Sequence, residues 1–422
     1  MSPTRRPKSS TGTILVLVAV LILGLCYTFS GLDPLGLFSS TETATPGQVV
    51  VPSTRTPKPI VTAKPGTTSV APPTGTSGSA DWWQVYFVAP TKITDKLSED
   101  YSINGLPPEI MGGSITEKLI QHIDAAKTTI HIASFETDLN DVAKALIRAK
   151  ERGVDVRWIT DDESGILADK KPGRGQFSML KKAGIKVIDD ARGALMHDKF
   201  WIFDGQTVWT GSTNVTISGM FEQNNNVIVI ESPELASIYE QQWADMWSGK
   251  FNSKSPSTVD QQKLTIDKTN IQILFSPEDK AISQIIPYIQ GAKKSIRFMA
   301  FTYTQEQLGK AMLDAMENNV VVTGVFESTG SDSEFSQMTP LFCAKAPVRQ
   351  DGNPAFLHHK VIIVDERFVI TGSLNFTDNA DQSNNENVII IDNAAIAKLY
   401  TAEFQRVWAV AHDPEPGKLT CK

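Results

Sequence analysis

Apolar residues along this chain alternate between a helical and a strand period, and they do so twice in the same order. Ala126–Phe135 reads AKTTIHIASF and Ala292–Phe301 reads AKKSIRFMAF, each a helix end running into a strand. Val142, Ala145, Leu146 and Ala149 then fall at helical spacing, as do Leu308, Ala311, Met312 and Ala315, and the apolar strands Val154–Thr160 and Val320–Phe326 follow them. In the stretch Ala194–Asp204, alternation puts Leu195, His197, Lys199 and Trp201 on one face and Met196, Asp198, Phe200 and Ile202 on the other, which predicts a half-buried strand. The same parity joins His358 to Lys360 and sends His359 to the opposite face, as a packing or hydrogen-bonded histidine. Strands alternating with helices in both halves predict two tandem α/β sandwich domains related by a pseudo-twofold axis, with the motif strands meeting at their interface.

The first eighty residues follow neither pattern. Arg5, Arg6 and Lys8 precede an apolar run from Ile14 to Phe29, and the next basic residue is Arg55. That asymmetry predicts a cytoplasmic N-terminus over 1–12, a signal anchor or transmembrane helix over 13–30, and catalytic domains outside the cytoplasm; secretion after signal cleavage is the alternative. Residues 31–81 are rich in Pro, Thr and Ser and lack the apolar content for a core, so they read as a linker or stalk. The remainder divides into domains over 82–255 and 264–416. Trp82-Trp83 opens the folded part and reads as a strand-end packing pair. Cys26 lies in the apolar run, whereas Cys343 and Cys421 are a candidate disulfide in an oxidising compartment.

Charge narrows the partners. The chain carries −7, but its first eighty residues hold six basic against two acidic side chains, so the folded part carries about −11. A nonspecific nucleic-acid binder draws on a basic footprint, and anionic bilayers would repel such a unit; a zwitterionic phospholipid headgroup meets no such penalty.

The candidate chemistry lies in a spaced motif that occurs twice. His197-Asp198-Lys199 is followed by Asp204 and by Gly211-Ser212-Thr213-Asn214, and His358-His359-Lys360 by Asp365 and by Gly372-Ser373-Leu374-Asn375, with identical spacing. Covalent cleavage of a phosphodiester needs a nucleophile on one side of phosphorus and a proton donor on the leaving oxygen opposite, and one imidazole cannot fill both places. Two copies facing each other supply both, with Lys199, Lys360, Asn214 and Asn375 as donors to the non-bridging oxygens. No metal or other cofactor is then required. Asp204 and Asp365 sit where the strand must turn, so a turn-fixing role stands beside a direct chemical one.

The HxK, four residues, D, six residues, GSxN arrangement resembles the signature of the phospholipase D superfamily, over about residues 82–416. The resemblance implies a phospholipase D/nuclease-type fold with its active site at the domain interface, His197 as nucleophile and His358 as general acid. Downstream, Glu386 aligns with Asn225; the resemblance implies that Glu386 orients His358, with Glu222 a weaker substitute in the first half. Ser212 and Ser373 count as support residues. The stretch Asp161–Gly184, with Lys170, Lys171, Gly173, Arg174 and Gly175, is a candidate flexible basic lid, and Ser328–Ser336 a candidate second rim. His122, His131 and His412 read as structural. The leading expectation is a phosphodiesterase hydrolysing glycerophospholipids at a membrane surface, with transphosphatidylation open to the same route. A nuclease acting on single-stranded nucleic acid and a noncatalytic surface-binding module are the alternatives. Both half-sites are in one chain, so a monomer suffices for activity.

Overall fold

The computed structural model describes residues 77–93, 101, 105–251, 259 and 262–421. The expected span at 13–30 and residues 31–76 of the expected linker lie outside the described residues. No helix among the described residues is long and apolar enough to cross a membrane.

The sequence repeat becomes a repeat of topology. The first sheet is ordered β1 (Gly78–Ala80), β2 (Trp83–Phe87), β8 (Asn226–Glu231), β7 (Thr207–Gly211), β6 (Lys199–Phe203), β3 (Thr129–Ser134), β4 (Asp155–Thr160), β5 (Lys186–Asp189). The second is ordered β9 (Lys263–Ile266), β10 (Thr269–Ser276), β16 (Glu386–Asp392), β15 (Phe368–Gly372), β14 (Lys360–Val364), β11 (Ser295–Ala300), β12 (Val321–Phe326), β13 (Val348–Gln350), strand for strand the same arrangement. In each sheet the last three strands run parallel and the others antiparallel. Two boundaries differ from the sequence reading. Gly78–Ala80, assigned to the linker, pairs with Trp83–Val85 across a tight turn. The second half reaches past 416, where Cys421 is bonded to Cys343 with a Cα separation of 5.4 Å.

Helices cover both faces of each sheet. The outer face of the first packs on α1 (Ile115–Ala125) and α2 (Asn140–Glu151); that of the second packs on α4 (Ala281–Gln290) and α5 (Glu306–Glu317). Two longer helices lie between the sheets, α3 (Pro233–Trp247), capped by the Ser232 hydroxyl, and α6 (Ala394–Val410), capped by Asn393. Tyr239 and Trp243 of α3 and Tyr400 and Phe404 of α6 join residues of both sheets in one continuous core. The expectation of half-buried motif strands is therefore corrected: every residue of β6 and β14 is buried. Phe200, Ile202, Val361 and Ile363 enter the shared core, whereas Trp201, Phe203, Ile362 and Val364 enter the outer ones. Alternation in these strands selects which core a side chain joins, not core against solvent.

Candidate active site

The register of β6 against β3 pairs Lys199 with Ser134, and that of β14 against β11 pairs Lys360 with Ala300. Both lysines thus start their strands at the sheet end where the parallel strands finish, and the histidines lie two residues earlier. Neither histidine is inside its own half's sheet. Met196 and Leu357 bridge to Asn385 and Asn224 of the opposite half. His197 N–H donates to Asn385 O (2.9 Å) and Asn385 N–H to Leu195 O (2.9 Å); His358 N–H donates to Asn224 O (3.0 Å) and Asn224 N–H to Phe356 O (2.9 Å). Each imidazole is therefore mounted by main-chain bonds that cross the pseudo-twofold axis, and the site exists only where the halves meet.

The motif glycines and serines make that mounting possible. A Cβ at Gly211 or Gly372 would lie 2.2 or 2.1 Å from the carbonyl oxygen of Asn226 or Asn387, and both residues have positive φ, so only glycine lets the neighbouring strand come so close. Ser212 Oγ accepts from Asn226 N–H (3.1 Å) and donates to Asn225 Oδ1 (2.8 Å), while Ser373 Oγ accepts from Asn387 N–H (2.9 Å). The serines thereby set the two positions that face the histidines.

At those positions the expected pairing is corrected. Glu386 holds His197, not His358: His197 Nδ1 lies 2.9 and 2.8 Å from its two carboxylate oxygens. His358 Nδ1 instead lies 2.9 Å from Asn225 Oδ1 and 3.1 Å from Ser212 O. The exchange follows from the crossed backbone, which brings each histidine beneath the other half's returning strand. Asn225 Nδ2 donates to Gly219 O (3.0 Å), so its Oδ1 must face His358. Both imidazoles therefore carry their proton on Nδ1 and leave Nε2 free for phosphorus chemistry. Glu222 orients neither histidine; it accepts from Ile93 N–H at 2.9 Å.

Electrostatics keep the free nitrogens unprotonated. Burial, and then Lys199 and Lys360, push both imidazoles well below the usual histidine range, so Nε2 is unprotonated in the resting site. Burial pushes Glu386 up to about 8 against the pull of Lys199. Glu386 and His197 titrate as a pair, and in the ionised pair Nδ1 carries the proton that faces the two carboxylate oxygens. The lysines donate to the carbonyls of their own motif histidines, Lys199 Nζ to His197 O (2.8 Å) and Lys360 Nζ to His358 O (2.9 Å), which leaves two N–H groups on each for an anion.

The asparagines are not equivalent. Asn214 Nδ2 donates to Glu136 (3.1 Å), and Glu136 also takes Arg174 at 2.9 Å, so this corner is a chain Arg174, Glu136, Asn214. Glu136 and Phe135 were not singled out by the sequence, although both follow directly on the repeated strand. The expected flexible lid is instead folded as a π-helical turn over Asp162–Leu167, a 3-10 turn over Ala168–Lys170 and a helix over Gln176–Lys182. Asp169 pins it by accepting from Phe177 and Ser178 N–H (2.9 Å each). Asp161, Asp162 and Asp190 cluster closely enough to hold a cation, but Asp161 and Asp190 are occupied by backbone N–H groups and Arg192.

Of the two roles open to Asp204 and Asp365, the direct chemical one is corrected to a structural one. Asp204 accepts from the N–H groups of Lys127, Thr128 and Thr129, and Asp365 from those of Lys293, Lys294 and Ser295, at the opposite end of β3 and β11 from the histidines. Burial raises the Asp204 carboxyl, but those N–H bonds outweigh it and hold its pKa below the ordinary value. The stability it contributes is therefore present at neutral pH and is lost as pH falls through that depressed pKa. Asp204→Ala is expected to lower unfolding free energy by about 1–2 kcal/mol and to leave kcat unchanged, as denaturant melts and steady-state assays will read. Among the other histidines, His359 is wholly buried between Asn226 Nδ2 (3.0 Å) and Glu403 (3.0 Å). His131 stacks on Trp243 and pairs with Glu240. His122 packs edge-on to Trp209, and His412 is exposed. Trp83 is buried in the shared core.

Comparisons with known proteins agree with this architecture. The family described as "Cardiolipin synthase, PLD-like domain" matches twice, over residues 119–247 and 285–408, together more than half of the chain. The chain is 37% identical over 136 residues to the mitochondrial cardiolipin hydrolase of Xenopus laevis, 32% of this chain and 64% of that protein. It is 33% identical over 135 residues to a phospholipase D of Rickettsia prowazekii, 32% of this chain and 66% of that protein. The chain thus spans less than two thirds of the length of either relative. The phosphatidylserine synthase structure of Haemophilus influenzae superposes with a TM-score of 0.56 at 12% identity, over 78% of this chain and 86% of that one, and has the same fold.

Proposed function

This chain belongs to the phospholipase D superfamily, and we propose that it hydrolyses glycerophospholipids at the headgroup phosphodiester through a covalent phosphohistidine. The observation that carries the proposal is the crossed pair of imidazoles, each held at Nδ1 by the opposite half and each close enough to the other half's lysine to feel its charge. In the first step the bound anionic phosphodiester offsets the charge of Lys199 and Lys360, so His358 takes up a proton on Nε2; His197 Nε2 then attacks phosphorus, the bond to the headgroup oxygen breaks, and His358 gives that oxygen its proton. In the second, His358, now neutral, takes a proton from water; the water oxygen forms a bond to phosphorus, the P–N bond breaks, and phosphatidate leaves. Lys199 and Lys360 hold the non-bridging oxygens in both steps. An alcohol in place of water gives transphosphatidylation.

The acidic folded part, about −11, favours zwitterionic over anionic surfaces. In this reading residues 13–30 anchor the chain, the residues from 31 up to β1 tether it, and the catalytic unit lies on the extracytoplasmic side; a cleaved signal would release it. A monomer is sufficient. The test is the full chain in mixed phosphatidylcholine and phosphatidylethanolamine micelles with ethanol and chelator, beside single-stranded DNA. Phosphatidylethanol is expected, and its loss in His197→Ala would assign it to this site. Cleavage of DNA alone would replace the lipid reading by a nuclease, and inactivity on both would leave a binding module.

A further inference from the structure

Each reactive histidine shares one aromatic ring with its lysine. Phe135 stands edge-on to His197, with centroids 5.0 Å apart, and Lys199 Nζ lies over the same ring, 5.3 Å from its centroid. Phe301 repeats this with His358 at 4.8 Å and Lys360 Nζ at 4.8 Å. The two phenylalanines are equivalent positions of the repeat, the residues directly after β3 and β11, and both are half-buried. Hydrogen bonds to their main-chain atoms fix where they stand: Phe135 O accepts from the Thr160 hydroxyl (2.7 Å), and Phe301 N–H donates to His359 O (2.9 Å). Phe356 packs edge-on against Phe301 with centroids 5.8 Å apart.

The lysines need such a neighbour. Among the described residues neither forms an ion pair, and both side chains are almost wholly buried. Burial lowers the pKa of each, Lys199 to about 8 and Lys360 well below the usual lysine range; Glu386 opposes this for both, and Asp198, Glu136 and Asp161 do so for Lys199. The two ammonium groups and the two imidazoles face one another across the cleft, and each lysine depresses the other half's histidine. A carboxylate touching either ammonium would keep it charged but would compete with phosphate for its N–H groups. The face of a benzene ring attracts the cation through its quadrupole and takes up no acceptor geometry that an anion needs.

We propose that Phe135 and Phe301 are positioning residues that hold Lys199 and Lys360 charged and aimed at the substrate phosphate, with the ring face in place of a counter-ion. The proposal rests on the phosphodiester reading of the site. It makes the phenylalanine after each repeated strand part of the half-site, acting through the lysine.

The test compares Phe135→Leu, Phe135→Tyr, Phe301→Leu and Phe301→Tyr with the wild-type full chain. Two readouts are taken: kcat/KM against pH on bis(p-nitrophenyl) phosphate, and titration of the lysine ε-carbon resonances in protein labelled at that carbon. Since the lysine must be charged to act, activity falls as pH rises through its pKa, and a lower pKa moves the alkaline limb to lower pH. Each Leu variant is expected to move the limb and one lysine resonance downward by about half to one and a half pH units, and each Tyr variant to restore both. Met, similar in size and ringless, replaces Leu at a position where the Leu variant does not fold. A limb and resonance unmoved by Leu, or a Tyr variant that behaves like Leu, would overturn the proposal and leave the rings as packing. If the wild type cleaves no phosphodiester, the functional reading fails by itself, and the lysine titration still decides between these outcomes.

Discussion

His197→Ala is expected to abolish turnover, by roughly 10⁴-fold or more, and with it any covalent phosphoenzyme. His358→Ala should behave differently on a substrate with a good leaving group: one equivalent of p-nitrophenol is released, and the enzyme then stalls. The reason is the charge behind each ring. An imidazole phosphorylated at Nε2 and protonated at Nδ1 is cationic, and Glu386, with both oxygens within 2.9 Å of His197 Nδ1, stabilises that cation. His358 has a neutral amide and a carbonyl in the same place. Its imidazolium is less stabilised and so is the stronger acid, which suits it to protonate an alcohol that leaves poorly. A leaving group that departs without a proton bypasses this step, and His358 is then missed only when water must be activated. Rapid-quench measurement of p-nitrophenol and of acid-labile protein phosphate separates the two variants. A burst in His197→Ala and none in His358→Ala would reverse the roles.

Much of the site was legible because the motif fixes types and spacings that strand geometry turns into positions. The parity of the strand period put each histidine with its lysine, and the duplicated elements implied two equal sheets. The partner of Glu386 was not legible. Alignment within the repeat shows that residue 386 corresponds to residue 225, but whether a returning strand faces its own half's histidine or the other's depends on the crossing at Met196 and Leu357, which no local pattern encodes. Half-burial of β6 and β14 was misread for a related reason. A strand covered by helices on both faces keeps its alternation only as a choice between two cores. Asp204 and Asp365 belong to the motif by spacing, yet they serve the far end of the sheet, so a motif position can be fixed by the fold and not by the chemistry. Phe135 and Glu136 carry no polar pattern of their own and emerged only when β3 brought them beside Lys199 and Asn214.

Glu386→Gln is expected to cost about 10²- to 10⁴-fold in kcat/KM while making the protein more stable at neutral and alkaline pH. Gln keeps the shape and an acceptor for His197 Nδ1–H, so the ring stays in place, but it cannot offset the positive charge that develops as phosphorus bonds to Nε2. The stability change has the opposite sign because the carboxyl is buried without solvent, which raises its pKa to about 8. A carboxyl so raised contributes its full stability only below its unfolded value near 4.5, and that contribution is lost as pH rises through the folded value. The amide does not ionise and loses nothing over that window. The melting temperature of Glu386→Gln should therefore gain on that of the wild type as pH rises between those two values, the other shifted carboxyls being common to both. A residue retained only for packing would show the reverse, with stability lost and activity kept. Asn225→Asp is the matching change in the other half. A carboxylate behind His358 would raise its pKa and make it a weaker acid, so hydrolysis of alkyl leaving groups should slow by about 10-fold or more while p-nitrophenol release is spared. The two substitutions together exchange the charges behind the two rings, and if that exchange moves the burst from one histidine to the other, the carboxylate alone decides which imidazole attacks.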